Sequence, residues 1–417
     1  MKDRLIFETA KLKNGIRIFA KPMDVPFAYA WLYVPVGHIH NTGSVLPGTA
    51  HLLEHIACGH SRLYPKLDQF QKMIELAGGS FNASTGSLCT VYSVSIRSDM
   101  FSRAFKGLMS HVFDPLIKAE DISHEVGVIL SESKRNNKWY PGDDELSHHL
   151  MMKWRNTKIF SIRQRTGNRS DLKKMSVAKL AHLHKAYFDP RAYVVVGGSF
   201  DKKVVFKELN KLKTKKHNLP TKLEQISWVN RGYHEKKFDT ISRFLYYMGG
   251  IMTESNVMTN FAISFIGELL TNSTHGVLME WLRNDLGWCY DMNFNMECDT
   301  NPTIHNIWEL CLPLNSRKQV AYVRKELHGR ILKAISDKKL IAREVEREKS
   351  ERLFAFQTLN SIMTEVASTL GPHGGQIYTE ADYIKFLEKC KDTAFLKEIY
   401  DKHWAPNVIG EFLAIPK

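Results

Sequence analysis

The chain ends each of its halves in the same way. "AYFDPRAYVVVGG" (Ala186–Gly198) reads as a helix end, a proline and a strand, and "IYDKHWAPNVIGEFLA" (Ile399–Ala414) repeats that order. Pro190 and Pro406 stand 216 residues apart. "LKNGIRIFA" (Leu12–Ala20) reads as strand, Asn-Gly turn, strand, with a weaker counterpart in "VNRGYHEKKF" (Val229–Phe238); the turn glycines Gly15 and Gly232 are 217 apart. Two offsets this close mark two copies of one unit. The 417 residues therefore divide into about two domains of ordinary size. The polar, lysine-rich "KTKKHNLPTK" (Lys213–Lys222) suits an exposed connection. The expected division is 1–212, a linker over 213–225, and 226–417.

Within each copy strands come first, then helices, then a closing strand. Phe27–Gly37 reads as a buried strand and Ser80–Ile96 as β-like. Lys66–Gly79 has Leu67, Phe70, Ile74 and Ala77 on one side of a helix ended by glycine. Glu120–Asn136 is a second helix with an Ile122, Val126, Ile129, Leu130 stripe. This order predicts α+β: two homologous α/β-sandwich domains, each a mostly antiparallel sheet with helices packed on it.

With 43% hydrophobic residues the chain has ample material for a core. No apolar run approaches the ~20 residues of a membrane span, and the first residues show no charged-then-apolar leader, so no membrane partner is expected. Six cysteines without a C-x-x-C pair argue against a disulfide framework and for a reducing, cytoplasmic setting. The formal charge of +14 invites a nucleic-acid reading. Yet the densest basic run, Asp201–Lys222, lacks the interleaved aromatics that stack on bases, and no nucleic-acid motif occurs elsewhere. A lysine-rich surface with no nucleic-acid partner is the reading adopted.

"GTAHLLEHIACGH" (Gly48–His60) carries the chemistry. His51 and His55 are four residues apart and so share a helix face, where two imidazoles can grip one Zn²⁺. Glu54 sits beside that face, placed to take a proton from a metal-activated water. The order H-x-x-E-H inverts the commoner H-E-x-x-H. A third ligand is required. Cys58 follows His55 by three residues, but a buried cysteine is commonly a small apolar group. Glu125 and Glu132, two turns apart on one face of the second helix, are the other source.

At these residues the sequence resembles the pitrilysin (insulinase) family of zinc peptidases. "GTAHLLEH" matches the family's G-x-A-H-x-x-E-H, and Glu132, 77 residues beyond His55, falls where the family has its third ligand. Glu125 matches the helper glutamate seven residues earlier. "GGSFNASTGSLCTVYSV" and "AYFDPRAYVVVGG" resemble two further family segments, the latter with Arg191 where asparagine is usual. "LMEWLRNDLGWCY" (Leu278–Tyr290) resembles L-x-x-x-L-R-E-x-L-G-L-x-Y. The resemblance implies one Zn²⁺ per chain on His51, His55 and Glu132, Glu54 as the base, and Glu125 orienting His55 or the ligand set. It places Phe81, Asn82, Ala83, Ser84 and Thr85 on an edge strand that pairs with a peptide substrate. It gives Arg283 and Tyr290 to an active site built by a different domain. It also implies half of a clam-shell chamber, so that a chain of this length works as a homodimer or with a homologous partner chain. Two departures stand out. The loop before the motif has His38 and His40 in place of an acidic residue, read here as surface histidines. The second copy reads "GELLT" (Gly267–Thr271) where the motif would fall, so one half binds metal and the other supports it. The resemblance also includes two rivals to a general peptidase: a non-catalytic structural or binding subunit, and a presequence-processing peptidase.

Overall fold

A computed structural model describes residues 4–136, 146, 149–150, 166–219, 232–252, 256–272, 275–297, 306–370 and 377–417. The first copy contains β1 (Glu8–Lys11), β2 (Arg17–Pro22), β3 (Phe27–Val34), α1 (Thr49–Gly59), α2 (Gln69–Leu76), β4 (Ser80–Thr85), β5 (Thr90–Arg97), α3 (Phe101–Phe113), α4 (Ala119–Asn136), α5 (Val177–His184) and β6 (Tyr193–Gly198). After α6 (Lys202–Asn210) the second copy contains β7 (Gly232–Phe238), β8 (Phe244–Met252), α7 (Val257–Thr271), β9 (Asn293–Glu297), β10 (Asn306–Leu314), α8 (Arg317–Ser336), α9 (Lys338–Ala355), α10 (Leu359–Leu370), α11 (Glu380–Cys390), α12 (Thr393–His403) and β11 (Gly410–Pro416).

The strands form two sheets, ordered β1-β2-β6-β3-β5-β4 and β7-β11-β8-β10-β9. Without β1 the two orders are the same. Each sheet has one parallel pair, β2 with β6 and β7 with β11, and is otherwise antiparallel. The repeat read from the prolines is thus a repeat of fold, and the α+β expectation holds. Local chemistry trims the expected elements. The strand from Phe27 stops at Val34 because Pro35 has no N–H to continue the ladder. The helix expected from Lys66 starts at Gln69, after Asp68 takes a left-handed φ of 56°. The β-like stretch from Ser80 to Ile96 is a hairpin turning over residues 86–89. Of the expected linker, residues 220–225 lie outside the described residues. Its start is strapped to the first copy: Lys215 N–H donates to Phe188 O at 2.8 Å and His217 N–H to Asp189 Oδ2 at 3.0 Å.

One face of each sheet packs on its own helices. In the first copy Leu32, Val34, Tyr92, Val94 and Val196 meet Leu52, Leu53, Ile56, Phe105 and Leu108. The opposite faces are covered by exchange. Phe19, Tyr33, Tyr193 and Val195 of the first sheet lie under Leu359, Ile362, Met363 and Val366 of α10, from the second half of the chain. Phe238, Tyr247 and Phe412 of the second sheet lie under Leu146 and Leu150, from the first half. Gly197 permits the first of these contacts, because a Cβ there would stand 2.6 Å from Met363 Sδ. Burying the four α10 side chains contributes roughly 6–12 kcal/mol before entropy, an upper estimate. No described helix is long and apolar enough to cross a membrane.

Candidate metal centre

α1 is amphipathic in the narrow sense the site needs. Leu52, Leu53, Ile56 and Ala57 are buried against the sheet, while His51 and His55 turn the other way, towards α4. Its start is fixed by Gly48, whose φ of 82° suits glycine and whose Cβ would meet Thr166 O at 2.4 Å. The Asn41 side chain accepts the Ala50 N–H at 3.1 Å, satisfying one of the helix's first amides.

The two imidazoles stand edge to face, with Nε2 facing Nε2 at 3.3 Å. Glu132 Oε2 lies 3.7 Å from His55 Nε2, and all three donor atoms fall within 4.8 Å of one another. On the far side of the His55 ring, Nδ1 meets Glu125 Oε2 at 2.9 Å. That contact fixes the ring proton on Nδ1 and leaves the Nε2 lone pair facing His51. Burial pulls the His51 pKa down to about 4, so this ring is neutral and able to ligate. At His55 burial also acts downwards, but Glu125, with Glu54 and Glu132 near, outweighs it and the pKa is raised. α4 is tied to α1 a second time, by His60 Nε2 and Asp121 Oδ2 at 2.8 Å.

Glu54 is 7% exposed, and burial raises its pKa despite a hydrogen bond from the Thr85 hydroxyl at 2.8 Å. Thr85 closes β4, the edge strand carrying Phe81–Thr85. The carboxylate beside the histidines is thus joined directly to the strand expected to receive a peptide. Cys58 stays outside the cluster; burial pushes its thiol well up, as suits a small apolar group. His38 and His40 are not surface residues: each is 7% exposed. Their turn is clamped onto the β4–β5 hairpin, with His38 N–H donating to Gly86 O and Ile39 N–H to Ser87 O, both at 3.0 Å. Arg283 and Tyr290 are together but apart from the cluster. Arg283 lies 4.7 Å over the Tyr290 ring, which is 72% exposed, and among the described residues neither hydrogen-bonds to the histidines or Glu132. Sequence reasoning missed Asn41, His60 and Asp121, which join residues distant in sequence and leave no local pattern.

The donor set fits zinc. Two nitrogens bound to one tetrahedral zinc at 2.0–2.1 Å lie about 3.3 Å apart, the separation found between His51 and His55. Two imidazoles and a carboxylate are also the ligand types of catalytic zinc sites.

Comparison with known proteins gives the family. Residues 19–164 match the family described as Insulinase (Peptidase family M16), and residues 174–352 match the Peptidase M16 inactive domain. The chain belongs to the insulinase family of peptidases. Protease 3 of Escherichia coli is 29% identical over 133 residues, which is 31% of this chain and 14% of that protein's length. Among solved structures, a protease from Helicobacter pylori superposes with a TM-score of 0.78 at 15% identity, covering 99% of both chains. Pitrilysin superposes with a TM-score of 0.70 at 17% identity, over 99% of this chain and 45% of its own. These structural likenesses speak for the fold. The second family description accords with a second copy that carries no H-x-x-E-H.

Proposed function

We propose that the protein is a zinc-dependent endopeptidase acting on peptides or unfolded segments. The observation that carries the reading is the pair of Nε2 atoms held 3.3 Å apart with a carboxylate beside them. His51, His55 and Glu132 would hold the ion. When bound, zinc supplies a Lewis acid that polarises the scissile carbonyl and acidifies a water molecule towards neutrality. Glu125 accepts a hydrogen bond from the His55 Nδ1–H and keeps that ring's lone pair directed at the site. Glu54 takes the proton of the attacking water and delivers it to the leaving amine; its raised pKa suits a group that must both accept and return a proton. Thr85 holds the Glu54 carboxylate by donating to it. The outer edge of β4, the last strand of its sheet among the described residues, pairs with the substrate backbone, so recognition reads main chain before side chains. Tyr290, with Arg283, donates to the developing oxyanion of a site in a partner chain.

The test is metal content together with turnover of a quenched, unstructured peptide, with and without chelator. One zinc per chain and chelator-sensitive cleavage are expected. Glu54→Gln should keep metal and fold while losing roughly 10²–10⁴-fold in turnover. Full activity in that variant, or metal retained in Glu132→Gln, would remove the corresponding assignment.

A further inference from the structure

The cluster needs α1 and α4 held in one register, and apolar packing alone does not set it. Ile122, Val126, Ile129 and Leu130 seat α4 on the first core. Apolar burial is non-directional, so it leaves a helix free to slide or roll slightly. Hydrogen bonds are directional. Two of them join side chains of α1 and its end to α4: Glu125 with the His55 ring at 2.9 Å, and His60 Nε2–H donating to Asp121 Oδ2 at 2.8 Å.

His60 closes α1 as its C-cap and is buried. Its main chain is held as well. Leu116 N–H donates to His60 O at 3.1 Å and Arg62 N–H to Asp114 O at 3.0 Å, a bridge between the exit of α1 and the approach to α4. His60 thus offers its ring to α4 from an anchored backbone. Asp121, Glu125 and Glu132 stand at i, i+4 and i+11, which share one helix face. Along the axis Asp121 lies about 6 Å before Glu125, and Glu132 about 10 Å beyond it. With Glu125 as pivot, a sideways shift at Asp121 reaches Glu132 enlarged nearly twofold. A zinc bond tolerates about 0.2 Å. Among the described residues Glu132 makes no hydrogen bond of its own, so its place depends on where α4 puts it.

We propose that His60 and Asp121 are positioning residues of the metal centre, holding α4 so that Glu132 stands within reach of the ion bound by His51 and His55. The inference rests on the zinc reading above. Neither residue belongs to the cluster, and the pair acts through Glu132.

The experiment is a double-substitution cycle on the zinc affinity of the full chain, measured by competition against a chelator. Asp121 is changed because its side chain is 20% exposed and the main-chain bridge does not depend on it. Asp121→Leu should weaken zinc binding about tenfold, and Asp121→Asn, whose amide oxygen still accepts from His60, by less than about threefold. In a Glu132→Gln background, where both histidines remain, Asp121→Leu should cost less than about twofold. Melting curves of the metal-free variants establish that each folds. Equal losses in the two backgrounds would overturn the proposal, because the pair would then act on His55 or on the fold at large. The zinc assignment of Glu132 would survive that result, since Glu132→Gln alone would still weaken binding. Equal losses for Asp121→Leu and Asp121→Asn would overturn it too, by showing that charge and not position matters. So would undiminished binding in Asp121→Leu. Zinc held by Glu132→Gln as tightly as by the unsubstituted chain would remove both this inference and the reading beneath it.

Discussion

Glu125 touches no ligand atom of the cluster, yet it determines what His55 can offer. Its carboxylate accepts a hydrogen bond from Nδ1–H, so the ring proton stays on Nδ1 and Nε2 keeps a lone pair. Glu125→Leu should weaken zinc binding about 10–100-fold, and Glu125→Gln, whose amide oxygen still accepts, by less. Competition against a chelator of known affinity measures both. A second carboxylate shows how burial and pairing combine. Burial acts to raise the Glu411 pKa, but Arg324, at 2.7 and 3.0 Å, and the Tyr246 hydroxyl outweigh it, and the net shift is downwards. A depressed folded pKa contributes stability above the unfolded value of about 4.3, and that stability is lost as pH falls through the folded pKa. Glu411→Gln should therefore cost about 1–2 kcal/mol at pH 7. The gap to the unsubstituted protein should close below about pH 4 in urea titrations. The histidine pair was legible in the sequence because its meaning lies in one helical turn. The Thr85–Glu54 and His60–Asp121 contacts were not, because each joins elements that only folding brings together. His38 and His40 were misread for the same reason: their burial depends on a hairpin nearly fifty residues away in the chain.

At the level of elements, the second copy answers what replaced the metal site. The repeat offset of 216 carries Glu132 onto Glu348 in α9. There the Arg347 guanidinium bonds Glu344 and Glu348, both at 2.6 Å, and also reaches Glu351. Glu268, on α7, lies within its field, and burial raises that carboxyl's pKa. A covalently attached cation thus stands among carboxylates where the first copy gathers ligands. Arg347→Ala should lower stability by roughly 2–3 kcal/mol, because Glu344, 5% exposed, would be left buried without its partner. The urea midpoint reports it. Element order and the repeat were readable because apolar periodicity and turn residues are local signals. The arginine was not, since one basic residue in a helix of mixed charge carries no such mark.

For the whole molecule, the proposed function turns on Tyr290, which is 72% exposed and, among the described residues, makes no hydrogen bond to the histidines or Glu132. On that proposal, two copies, or this chain and a homologue, would close a chamber in which each supplies Tyr290 to the other's cluster. Mixing Glu54→Gln chains with Tyr290→Phe chains should restore part of the activity each lacks alone. The mixed dimer then contains one site with an intact Glu54 and an intact Tyr290. No recovery despite demonstrated subunit exchange would show that each tyrosine serves its own chain.

The crossing of α10 onto the first sheet orders events during synthesis. β6 completes that sheet long before Met363 has been added. Until then Phe19, Tyr33, Tyr193 and Val195 have Leu5 and Phe7 beside them but lack the cover of α10. The second sheet faces no such wait, because Leu146 and Leu150 already exist when Phe412 emerges. The nascent chain therefore carries this apolar patch at mid-translation, on the half that holds His51 and His55, until its second half arrives to cover it.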